Sequence, residues 1–223
     1  DLDTDPLGLQ WVVSSYALVF AGFLLLGGRL ADIYGQRRVF LVGITLFSGA
    51  SAIGGMANTP AVLITARAIQ ALGAAMLAPT SLTILTTTFA EGSARVRALA
   101  LWTALASAGG AAGNLLGGVL TDYLSWRATL LGNVPLGAIA LLLAPRVLPP
   151  DRRGRPRDRI DVLGAVSATT GIMAITLVVT GTERHGWQPV TWIATAIGVG
   201  SLGLFVLNES RAPAPLIPLR LFR

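Results

Sequence analysis

Three groups of residues interrupt the grease of this chain with a pattern that chemistry or mechanics could use. From Gly27 to Phe40 it reads GGRLADIYGQRRVF. Here Asp32 can accept hydrogen bonds from a helix N-terminus or pair with Arg37 or Arg38. Gly28 and Gly35 permit close helix approach and a tight turn. Together these residues can build a charged latch between two packed helical bundles, the part of a machine that must open and close. An ordinary membrane-flanking loop with scattered arginines needs no such order. The second group surrounds Arg67, in LITARAIQALGAA from Leu63 to Ala75. Arg67 lies about seven residues into an apolar run, roughly 10 Å along a helix at about 1.5 Å per residue. An arginine there costs about 2–3 kcal/mol on insertion scales, so it faces a cavity or a partner, or it snorkels to the interface. The third group is Gly109-Gly110-Ala-Ala-Gly113-Asn114-Leu-Leu-Gly117-Gly118. Glycines at 109, 113 and 117 share one helix face and allow very close contact, in a specific seam or in generic small-residue packing.

Covalent chemistry has little to work with. The chain has no cysteine, which excludes disulfides and thiol catalysis, and its one histidine, His185, makes a histidine-built metal site untenable. No metal-ligand cluster, nucleophile–base pair or phosphate loop is visible, so a membrane enzyme is a distant reading.

The elements that position these groups are set by the solvent. Of 223 residues, 53% are hydrophobic and 13% charged, against about a quarter charged in soluble domains. So few charges cannot cover a water-facing surface, and lipid must replace water around much of the chain. Seven apolar runs are long enough to span a bilayer as helices, near 10–28, 39–57, 61–88, 98–120, 128–147, 161–181 and 190–208. None alternates as barrel strands do. The expected fold is all-α: a polytopic transmembrane bundle of seven helices. Its divisions fall at 1–147 (a five-helix block), 148–160 (a Pro/Arg-rich linker, LPPDRRGRPRDRI), 161–209 (a helix pair) and 210–223.

All 17 basic residues are arginine, and 14 of them lie in every second break, at 29–38, 91–97, 146–159 and 211–223. The intervening breaks hold two. By the positive-inside bias the arginine-rich side is cytoplasmic, with the chain's N-terminus outside and its C-terminus inside. The net charge of +6 is thus topological, and no nucleic-acid partner is expected. An external N-terminus with no signal peptide implies a helix before Asp1 in the whole protein. Trp11, Trp126, Trp187 and Trp192 fall near the predicted interfaces, as aromatic belts do.

The first segment resembles the signature loop between the second and third helices of the major facilitator superfamily, with Gly28, Leu30, Ala31, Asp32, Gly35, Arg37 and Arg38 at the matching positions. Arg67, Gln70 and Gly73 are similar to that family's membrane-embedded arginine motif, implicated in proton coupling, with Ala71 where glycine is usual. The fourth run resembles the antiporter motif of drug exporters, with Asn114 in place of its proline, so the usual kink is not expected. Leu9-Gln10-Trp11-Val12-Val13 with Tyr16, Trp126-Arg127, Asn133 to Gly137, and Pro215 to Phe222 extend the likeness over essentially the whole chain. The resemblance implies helices two to eight of a fourteen-helix drug/proton antiporter in the plasma membrane. Its partners would be the lipid bilayer, a small-molecule substrate and a C-terminal bundle of the same protein. No cofactor would be needed, the proton gradient supplying the drive. On that reading Asp32, Arg37 and Arg38 form the cytoplasmic latch, Arg67, Gln70 and Gly73 are proton-coupling candidates, and Gly109, Gly113, Asn114, Gly117 and Gly118 form the antiporter-motif face. No proton-carrying acid is visible in the apolar runs from 10 to 120. An exporter of a metabolite or self-made antibiotic, or a non-transporting sensor that keeps the fold, are the rival readings.

Overall fold

A computed structural model describes residues 6–151, 161–185 and 187–210; most of the 148–160 linker and of the 210–223 segment lies outside them. Among the described residues the secondary structure is helical throughout. In order the helices are α1 (Pro6–Tyr34), α2 (Gln36–Gly55), α3 (Pro60–Thr88), α4 (Ser93–Tyr123), α5 (Trp126–Leu131), α6 (Asn133–Val147), α7 (Val162–His185) and α8 (Pro189–Glu209).

These boundaries have local causes. Thr59 caps α3 by accepting from the Val62 N–H, and Pro60 opens it, where a missing N–H costs nothing. Ser125 caps α5 in the same way. Gln188 and Thr191 exchange side-chain bonds in a capping box at α8. Asp161 accepts from the Gly164 N–H at 2.8 Å and starts α7.

The structure differs from the sequence expectation in three places. The break at 29–38 is almost entirely helical, because Arg29 to Tyr34 are tolerable helix formers, and the turn is made by Gly35 alone at φ 101°. The fifth run is not one helix: it breaks at Gly132, since Pro135 has no N–H to continue the ladder and serves instead in the first turn of α6. And α7 reaches His185, while its apolar part covers only Leu163–Val179. Six helical segments, counting α5 and α6 together, are therefore long and apolar enough to cross a bilayer among the described residues, with α7 as a shorter seventh.

In lipid, helix association depends on close packing more than on water exclusion, and small residues supply it. Helices α1, α2 and α3 form a tight triple, with α6 laid against α2 and the α7–α8 hairpin leaning on α1 through α7. Glycines sit at the crossings. A methyl on Gly73 would lie 2.6 Å from the Phe47 backbone N and 2.7 Å from the Gly43 carbonyl, and one on Gly22 would meet Met173 of α7 at 2.5 Å. One on Gly27 would collide with the Ala75 carbonyl, the oxygen that Pro79 leaves without its usual helical donor.

Candidate functional site

The signature segment wraps the turn between α1 and α2 at the arginine-rich end. Gly28 packs toward Pro79 of α3, and Ala31 is buried. Asp32 is exposed and accepts from Gln36 Nε2 at 3.3 Å within its own turn. It caps no helix and pairs with neither Arg37 nor Arg38, contrary to what its sequence neighbours allow. The reason is geometric: Asp32 is on the last turn of α1, while the free N–H groups belong to α2 and point to another acid.

That acid is Asp151, just beyond α6. Its Oδ1 accepts from the Arg37 N–H at 2.9 Å and its Oδ2 from the Arg38 N–H at 3.2 Å, with the Arg38 guanidinium 4.0 Å away. Arg37 turns its own guanidinium to the Pro145 carbonyl at 2.8 Å. Sequence motifs do not reveal Asp151, although it is the first acid after the sixth helix and stands in the proline- and arginine-rich break.

The second cluster lies near the opposite end of the triple. Arg67 donates from Nη1 to Gln70 Oε1 at 2.6 Å and from Nε to the Val12 carbonyl at 3.3 Å, and its guanidinium sits 4.3 Å from the centre of the Tyr16 ring. Gln70 passes the chain on, donating to Ser51 Oγ at 2.5 Å, which also accepts from Asn133 Nδ2 at 3.4 Å. Gln70 and Ser51 are 2% and 1% exposed, so this polar thread runs through the packed centre and joins α1, α2, α3 and α6. Arg67 is therefore directed inward, and no carboxylate among the described residues pairs with it. Gly73, one turn along α3 from Gln70, makes no bond in the thread: it is the α2–α3 crossing point, and Ala71 near it is fully buried.

The glycine face of α4 meets no partner among the described residues. A methyl at Gly109, Gly110, Gly113, Gly117 or Gly118 would meet no atom within 4 Å among the described residues, and α4 has no buried residue. Close contact along this face is thus not made here, because α4 touches its neighbours chiefly through α5. Asn114 is exposed on the same helix. Between α1, α2 and α3 lies an open apolar groove of about 360 Å³, lined by Phe20, Phe40, Ile44, Ala74, Leu77 and Ala78 among others. Two further acids, Asp161 at the start of the sixth apolar run and the buried Glu209, sit at the arginine-rich end of the α7–α8 hairpin, where Asp161 accepts from Asn208 Nδ2.

Comparison with known proteins agrees with this architecture. Residues 1–207 match the Major Facilitator Superfamily. The chain is 56% identical over its whole length to a cephamycin export protein of Amycolatopsis lactamdurans, covering 46% of that protein. It is 41% identical over 98% of its length to a puromycin resistance protein of Streptomyces alboniger, covering 43% of it. It is 39% identical over 97% of its length to a multidrug resistance protein of Mycobacterium tuberculosis (strain CDC 1551 / Oshkosh), covering 40% of that one. The chain thus spans less than half the length of these relatives. Its apolar helices, its signature turn and its match over residues 1–207 lead to one conclusion: the chain belongs to the Major Facilitator Superfamily and is part of a multi-pass membrane protein.

Proposed function

We propose that this chain is one part of a secondary active transporter that exports small molecules by alternating access, driven by inward proton flow. The observation that carries this reading is the ordered turn at Gly28–Arg38. Asp32 and the Arg38 side chain remain exposed there beside the α2 N-terminus, whose N–H groups bond Asp151, as a latch toward a second bundle requires. The names of the relatives, which speak of export and resistance, support it. No covalent step is involved; binding and rocking of bundles do the work. In this proposal the arginine-rich ends face the cytoplasm, and Gly28, Leu30, Ala31, Asp32, Gly35, Arg37 and Arg38 form the latch. Arg67, Gln70 and Gly73 support coupling. The α4 face with Gly109, Gly113, Asn114, Gly117 and Gly118 receives a bundle beyond the described residues.

A narrower reading, export of a self-made antibiotic, is favoured by the 56% identity to a cephamycin export protein. The test is flux of a cephamycin, puromycin and ethidium in everted vesicles carrying the full-length protein, with and without an uncoupler. Uncoupler-sensitive movement of at least one compound supports export, and movement of the cephamycin alone supports the narrower reading. Vesicles that move none of the three, at verified protein levels, remove the efflux proposal.

A further inference from the structure

The N-terminus of α2 is capped from a distance. In an ordinary helix the residue before the first turn turns its side chain onto the N–H groups of the second and third helical residues. Here that residue is Gly35, which has no side chain, and the second and third residues are Arg37 and Arg38. Both of their N–H groups are instead taken by the Asp151 carboxylate, at 2.9 and 3.2 Å, from more than a hundred residues along the chain. A methyl at position 35 would sit 2.5 Å from Asp151 Oδ2 and 2.7 Å from Oδ1, so the glycine vacates the space that the carboxylate occupies. The Asp151 side chain is 18% exposed, and the Arg37 guanidinium adds a second tie to the end of α6 at the Pro145 carbonyl. A charged acceptor on two N–H groups at a helix N-terminus, partly shielded from water, is a strong local restraint.

We propose that Asp151 is a positioning residue of the transport cycle: it clamps the start of α2 to the exit of α6, and so fixes the signature turn from which Asp32 and Arg38 reach out. This rests on the export reading above. It also gives Gly35 a second duty beside its positive φ, and gives the backbone N–H groups of Arg37 and Arg38 a role in addition to that of the arginine side chains. The point where the 148–160 linker leaves α6 thereby becomes part of the latch.

The test uses the full-length protein on a cysteine-free background in proteoliposomes, with a single reporter cysteine. One reporter replaces Gln36, beside the clamp, where the Gln36 Oε1 atom is buried; the other replaces Met56, exposed at the far end of α2. Asp151→Ala is expected to raise maleimide labelling at position 36 by about fivefold or more, to leave position 56 unchanged, and to lower turnover by roughly tenfold with KM within about twofold. Asp151→Glu, which keeps the charge, is expected to fall between alanine and the native residue. Unchanged labelling at position 36 overturns the clamp, and equal acceleration at both reporters overturns it too, since that signals general loosening. Faster labelling at 36 with native turnover overturns the positioning role. A native protein that moves none of the three compounds removes the efflux reading instead, and the labelling ratio still decides the clamp.

Discussion

Adding one methyl to the α2–α3 crossing and one to the bare face of α4 separates two meanings of glycine. In Gly73→Ala the new carbon would lie 2.6 Å from the Phe47 N and 2.7 Å from the Gly43 O, both backbone atoms that no side-chain rotation can move. Ordinary contact begins near 3.4 Å, so the two helices must part locally by about 0.8 Å. A gap of that size forfeits about a quarter to a half of each van der Waals well it opens, and overpacking of this kind costs about 1–3 kcal/mol. Alanine regains up to about 1 kcal/mol through its better helix propensity, which reduces the loss without cancelling it. In Gly113→Ala nothing lies within 4 Å, so only the propensity gain remains. The two variants should therefore differ by about 1–3 kcal/mol, since the propensity gain is common to both. At about 2–4 °C per kcal/mol for a chain of this length, that is a separation of about 2–12 °C in Tm. Thermal unfolding of the 223-residue chain in detergent, followed by fluorescence-detected size exclusion, reads it directly. Equal Tm values, or a larger drop for Gly113→Ala, would refute the packing argument. In the full-length protein Gly113→Ala should lose that gain if the α4 face receives a second bundle as proposed.

Three further outcomes follow from the same geometry. Gln70→Leu strips Arg67 of its shortest bond and leaves Ser51 without its buried donor, so stability should fall by about 2–4 kcal/mol, measurable as a lower Tm beside an unchanged Met56→Cys labelling control. Asp32→Asn, at an exposed position, should leave Tm within about 1 °C but abolish most turnover in the vesicle assay, whereas a non-transporting scaffold would tolerate it. Cysteines at Tyr34 and Glu91 should react with a membrane-impermeant maleimide only from the cytoplasm, and those at Asn58 and Gln188 only from outside; the reverse, or a mixture, would overturn the proposed orientation.

The parts of this fold that sequence made legible are those that solvent alone dictates. A backbone in hydrocarbon must satisfy its own hydrogen bonds, so apolar runs such as 61–88 and 98–120 could only be helices, and α3 and α4 lie over them. The depth of Arg67 was legible for the same reason, because an arginine seven residues into an apolar helix cannot be indifferent to its surroundings. The turn at Gly35 was legible as a turn but not as a nearly continuous helix pair. Apolarity falls off at Arg29–Tyr34 before helicity does, and a hydropathy window cannot tell the two apart. The division of the fifth span at Gly132 depended on Pro135, which a window that averages Leu and Ala conceals. Asp151 was out of reach altogether, for its partners are backbone N–H groups more than a hundred residues away, and no spacing rule encodes them.

Glycine shows where such reading stops. Gly73 and Gly113 both belong to small-residue patterns, and both announce that another backbone can come close. At Gly73 the backbone of α2 does so, held by a polar thread through Gln70 and Ser51 that gives the crossing its register. At Gly113 no described residue does, and α4 carries no buried side chain to hold a neighbour in place. Small residues state that a surface permits contact; register comes from the bonds beside it. A glycine pattern with a buried hydrogen-bond thread next to it thus marks a seam fixed within its own bundle. One without such a thread suits a seam that must part and re-form, because nothing along it has to be broken when the helices slide.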